Sequence, residues 1–84
     1  MKLFKLTQDV NNDYNTYDSV IVAAEDEEEA KYIHPDYFIT CNGWDGTTSE
    51  YSSWCAIEDV QVKYIGEAKE GTVKGIILAS YNAG

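Results

Sequence analysis

Asp9, Asn11 and Asp13 place oxygen-bearing side chains at alternate positions, the spacing at which a calcium loop of the form D-x-[DN]-x-[DN]-G-x5-E offers its first three ligands. The pattern fails at two positions that decide it. The sixth, where glycine makes the sharp turn, is Tyr14, and the twelfth, where a bidentate glutamate closes the shell, is Val20. The flanking segments also read as strands where the motif needs helices. Asn and Asp gather in turns because their side chains bond nearby backbone groups and tolerate left-handed conformations. The segment QDVNNDYNT therefore reads as a polar connection, and no metal is assigned.

His34 is the single imidazole, so any histidine chemistry must use it. It precedes Pro35 at the end of a helical segment, where a cationic ring would suit the negative pole of the helix. A thiol nucleophile would need Cys41 or Cys55 brought to His34 together with an oxyanion hole, and no local motif supports this. The two cysteines lack the paired spacing of a zinc site. Reduced thiols are the default, with one bridge closing the loop between them as the alternative. Adjacent carboxylates such as Glu58 and Asp59 are not by adjacency a tuned acid/base pair, and 84 residues leave little room for a glycosidase cleft. G-x-G-x-x-G, P-loop, H-E-x-x-H and G-x-S-x-G motifs are absent. The chain reads as non-enzymatic, with no catalytic residue and no cofactor.

Charge is the strongest compositional signal. Asp and Glu number 15 against 6 Lys and no Arg, a formal net charge of −9. Nucleic acids are held by Lys and Arg neutralising phosphates, so direct nucleic-acid binding is not expected, and an anionic membrane surface repels the chain equally. A basic protein surface is attracted instead. Soluble small proteins also carry acidic surfaces for colloidal reasons alone. There is no run of eighteen apolar residues and no signal-peptide pattern in MKLFKLTQ, which points to a cytoplasmic protein.

The elements that would position these residues follow from periodicity. Lys2 to Thr7 alternates, with Phe4 and Leu6 on one face and Lys5 on the other, and predicts a first strand. Tyr17 to Ala24 is β-branched and apolar on both faces, a covered second strand. In EDEEEAKYIHP, Asp26 and Glu29 form a capping-box pattern and Pro35 ends a helix of roughly two turns. Ala30 and Ile33 form its apolar stripe, so it must lie on a sheet. From Asp36 to Asp59 periodicity fails, apart from a short strand expected at Tyr37 to Thr40. Trp44, Tyr51 and Trp54 stand there among Gly, Ser and Thr, a composition shared with recognition loops. Trp54 and Cys55 suit packing over the sheet; Trp44, between Gly43 and Gly46, suits an exposed contact. Val60 to Ala68 and Val73 to Tyr81 read as a β-hairpin whose second strand is central. The expected fold is α+β: one compact domain over residues 1–84, with a small antiparallel sheet of about four strands in the order β-β-α-loop-β-β and one short helix on a face.

The blocks MKLFKLTQ, NNDYNTYDSVIVAAEDEEEA, YSSWC and VKYIGEAKEG with GIILASYNAG resemble a family of small uncharacterised proteins of bacteria and their phages, encoded as complete short genes. The resemblance covers most of the chain outside the region from Tyr37 to Ser49 and carries no activity with it. It implies a phage or mobile-element origin and a host cytoplasm as the place of action. Joined to the charge, it gives the expectation of an acidic protein-binding module, an inhibitor of a host defence system of the anti-CRISPR kind. Such a protein would occupy a basic nucleic-acid-binding surface, some doing so as DNA mimics. The expected contact residues are Glu25, Asp26, Glu27, Glu28 and Glu29, with Asp9, Asp13 and Asp18 nearby across the strand ends, together with Tyr14, Tyr17 and Trp44. The alternative is a structural or assembly protein acting as a homodimer or larger homo-oligomer.

Overall fold

The computed structural model describes residues 1–11, 16–47 and 53–82. Strands β1 (Lys2–Thr7) and β2 (Thr16–Ala24) are followed by helices α1 (Glu27–Lys31) and α2 (Tyr37–Cys41). A 3-10 turn (Ile57–Asp59) then leads into strands β3 (Gln61–Glu67) and β4 (Gly75–Asn82). The four strands form one antiparallel sheet in the order β3-β1-β2-β4.

The alternation of β1 decides which side is covered, and β2 follows it through the register. Phe4, Leu6, Val20, Val22 and Ala24 point to one face, where Ala30, Ile33, Trp54, Cys55 and Val60 close over them. Trp54 is the largest side chain fully withdrawn from water. Its burial and that of Cys55 turn the end of the aperiodic segment into part of the core. α1 lies against β1, β2 and β3. Five residues are too few to hold a helix in water, so α1 persists through its capping bonds and the burial of Ala30.

The fold class is the one expected, with two differences in its parts. A second short helix, α2, replaces the strand expected at Tyr37 to Thr40. The Asp36 carboxylate accepts the backbone N–H groups of Phe38 at 2.9 Å and Ile39 at 3.4 Å, a local cap that overrides the strand preference of Tyr, Phe and Ile. The first helix is also shorter than its capping signals suggest. It ends at Lys31, and Ile33 is buried beyond it.

The expected hairpin of the last two strands does not form. β3 and β4 occupy opposite edges, and the central places go to β1 and β2. The aliphatic run in β4 mimics a covered strand, yet Ile77 is 50% and Leu78 65% exposed. The connection from Ala68 to Lys74 spans up to ~23 Å when extended, enough for three strand spacings of ~4.8 Å. It crosses the end of the sheet near the start of α1, held by the Ala68 N–H donating to the Met1 carbonyl at 2.9 Å and by Lys74 Nζ lying 3.7 Å from Glu29.

Candidate functional site

The acidic segment after β2 divides into structural and free carboxylates. Asp26 is the N-cap of α1, its Oδ1 accepting the Glu29 N–H at 2.8 Å, while Glu29 Oε1 accepts the Glu25 N–H at 3.0 Å. This is a capping box displaced by one residue, because the reciprocal bond reaches Glu25 and not the cap residue itself. Glu29 also faces Lys74. Glu27 and Glu28 are exposed and form no salt bridge among the described residues.

These carboxylates border an open groove of about 550 Å³ lined by Lys2, Phe4, Asp26, Glu27, Glu28 and Tyr64. Phe4, 2% exposed, meets Tyr64 edge-on with ring centroids 5.9 Å apart. Tyr64 is 49% exposed, so the groove combines an exposed tyrosine ring with three carboxylates and the Lys2 ammonium. That arrangement suits the aliphatic stem and cationic head of Lys or Arg: carboxylates take the charge-assisted hydrogen bonds and a tyrosine ring attracts the cation. Sequence alone did not reveal Tyr64 as a site residue. Its pairing with Phe4 depends on β3 joining β1, a contact no local pattern specifies.

The remaining expected contacts do not gather there. Asp18 is exposed at the other end of β2, where Thr7 pairs with Ser19, and Asp9 follows that same end of β1. The seven steps from Asp18 to Glu25 rise by ~23 Å along a strand. The acids thus form two groups at opposite ends of the sheet, correcting the expected single cluster. Asp13 and Tyr14 lie outside the described residues, as does Tyr51. Tyr17 is half-buried and stacks on Tyr81 with centroids 4.8 Å apart. Burial, the Asp36 carboxylate and Tyr81 together hold its hydroxyl above the ordinary tyrosine pKa.

Trp44 is half-buried and braced. It packs against the core, its ring stands edge-on to His34 at 5.0 Å, and Nε1 donates to the Thr47 carbonyl at 2.8 Å. Among the described residues the most exposed aromatics are Tyr37 and Phe38 of α2, 73% and 75% exposed. The expected strand at this position concealed them.

His34 is not a cationic cap. It is 2% exposed, Nδ1 accepts the Asp36 N–H at 2.9 Å, and its backbone N–H donates to the Thr40 hydroxyl at 2.6 Å, which donates back to the His34 carbonyl at 2.8 Å. Burial lowers its pKa against the opposing pull of Asp36. A ring accepting an N–H through Nδ1 is neutral on that nitrogen.

Both cysteines are free, Cys41 exposed and Cys55 buried. Burial, with Asp59 adding to it, pushes the Cys55 thiol up to about 12, far from a reactive thiolate. At the start of the suspected calcium loop, Gln8 organises a turn: its side-chain carbonyl accepts the N–H groups of Val10 and Asn11, and its amide donates to the Asn11 and Tyr17 carbonyls. Asn11 Nδ2 donates to the Trp54 carbonyl at 2.9 Å, tying that turn to the core. Among the described residues no group of three or more His, Cys, Asp or Glu side chains has a metal-binding arrangement, and no helix is long and apolar enough to cross a membrane.

No family model matches the chain, and no significant match appears among curated proteins or solved structures.

Proposed function

We propose that this protein is a non-enzymatic binding module that engages a basic protein surface, as a phage-encoded inhibitor would engage a nucleic-acid-processing defence complex of its host. The observation that carries the reading is the groove that exposed Glu27 and Glu28 line together with the half-exposed ring of Tyr64. A net charge of −9 adds long-range attraction, which raises association rates toward a cationic partner and weakens with salt. The direct test is affinity capture from host lysate at low salt, comparing the native chain with a Glu27→Gln/Glu28→Gln variant. The expected result is a basic nucleic-acid-processing protein retained by the native chain, released by salt and lost with the variant. Failure to retain any protein at low salt, or equal retention by the variant, would refute the reading.

A second reading, a homo-oligomeric assembly protein, draws on β4. This edge strand carries no charged residue from Gly75 to Asn82 and exposes Ile77, Leu78 and Tyr81. Uncharged apolar edges template strand pairing between copies. Sedimentation of the native chain and an Ile77→Lys variant separates the two readings: a dimer abolished by the lysine supports assembly, whereas a monomer in both leaves the edge unused.

A further inference from the structure

The acidic groove and the core lie on one face of the sheet, and the opposite face is open over Lys5, Gln61, Lys63 and Leu78. Across that open face the register places Lys63 opposite Lys5, Lys5 opposite Ile21, and Ile21 opposite Leu78; in the adjoining row Gln61 stands opposite Thr7. Two lysines are thus direct cross-strand partners, a like-charge pairing that disfavours the sheet unless something neutralises it. Nothing in the chain does so among the described residues, where the salt bridge that forms is Lys74 to Glu29. A lysine on an edge strand has a ready explanation, since it blunts edge-to-edge pairing, and Lys63 fits it. Lys5 does not, because β1 is a central strand.

Between the two lysines is a concavity of about 250 Å³ lined by Lys5, Thr7, Gln61, Val62 and Lys63. The polar side chains around it supply donors: two ammonium groups, a hydroxyl and a primary amide. No carboxylate stands among the paired residues of this face, although the chain holds 15 acids. The volume is below the ~300 to 1,000 Å³ typical of sites for drug-sized ligands, and suits one anionic group.

We propose that Lys5 and Lys63, with Thr7 and Gln61, form a phosphate-binding site on the open face of the sheet. The two ammonium groups balance a phosphate dianion, whose oxygens accept from Thr7 Oγ1 and Gln61 Nε2 as well. The group is either the free ion or a phosphomonoester with an apolar body. In the second case the body lies over Ile21 and Leu78, which continue the lysine row toward β4 over ~10 Å, two strand spacings. The site is independent of the acidic groove, so either can fail without the other.

The test is a two-dimensional ¹H–¹⁵N NMR titration of the full chain with sodium phosphate, against sodium chloride at matched ionic strength, followed by phenyl phosphate. The expected result is saturable movement of the Lys5, Thr7, Gln61 and Lys63 amides with phosphate and not with chloride. Lys63→Gln, at an exposed position that leaves the core intact, weakens binding at least tenfold, while Lys69→Gln leaves it unchanged. Tighter binding of phenyl phosphate with movement at Ile21 and Leu78 identifies an organic phosphomonoester; equal affinity without it identifies the free ion. Phosphate shifts no larger than those of chloride overturn the site. Equal shifts around Lys31, Lys69 and Lys74, or undiminished affinity in Lys63→Gln, do so as well.

Discussion

Replacing His34 by Asn isolates the contribution of the buried imidazole to stability. In the folded chain Nδ1 accepts the Asp36 N–H at 2.9 Å, and Asn offers Oδ1 as a substitute acceptor while removing the titrating group. Burial lowers the folded pKa below the ordinary value of 6.5, so on acidification the unfolded chain takes up a proton before the folded one does. Stability from this group is therefore fully present above pH 6.5 and is lost as pH falls through the window between the unfolded and the lowered folded value. Within that window the slope of stability against pH approaches a limit of ~1.4 kcal/mol per pH unit. In a domain of this size each 1 kcal/mol lost lowers Tm by roughly 4 to 8 °C. Urea unfolding followed by fluorescence, with Trp54 in the core as reporter, measures the effect at half-unit pH steps. The difference between native chain and His34→Asn cancels what the carboxylates contribute. The variant starts less stable, through lost packing on Trp44, but its stability falls less steeply as pH drops below 6.5. Parallel pH curves for the two proteins would refute a buried neutral imidazole.

Three further outcomes follow from single positions. Asp26→Ala removes the N-cap bond to Glu29 and should cost about 1 kcal/mol in urea unfolding, with the sheet's spectrum unchanged. Gly46→Ala should cost roughly 2 to 4 kcal/mol, because the residue sits at φ +87° and an added Cβ would come within 2.9 Å of Ile57 Cγ2 and 3.2 Å of Tyr32 Cε1. Iodoacetamide at mildly alkaline pH should add one label to the folded chain, at exposed Cys41. Cys55, with its thiol near 12, should be labelled only in denaturant, as peptide mass spectrometry would show.

The legible parts of the fold are those written in neighbouring residues. Alternation of Phe4, Lys5 and Leu6 marks β1 and its core face, and the pair Asp26 and Glu29 marks the start of α1, because both signals act within one or two turns of chain. α2 is equally local, yet its residues predict a strand. Its cap, Asp36, precedes Tyr, Phe and Ile, whose strand preference is the more conspicuous feature, although preferences of that size yield to two capping hydrogen bonds. The candidate site was half legible: the acids are plain in the sequence, the tyrosine ring that shares their groove is not.

By itself the sequence determines the acidic balance, the first strand and its core face, the helix cap and the failure of the calcium pattern at Tyr14 and Val20. Only tertiary structure decides which strands are neighbours, and everything that distinguishes the two faces depends on that. Pairing β3 with β1 sets Tyr64 against Phe4 beside the free glutamates and, one register step on, Lys63 against Lys5 on the reverse side. Sending β4 to the far edge leaves its aliphatic run in solvent. Both outcomes rest on hydrogen-bond register between segments about sixty residues apart, which the alternation within one strand cannot encode.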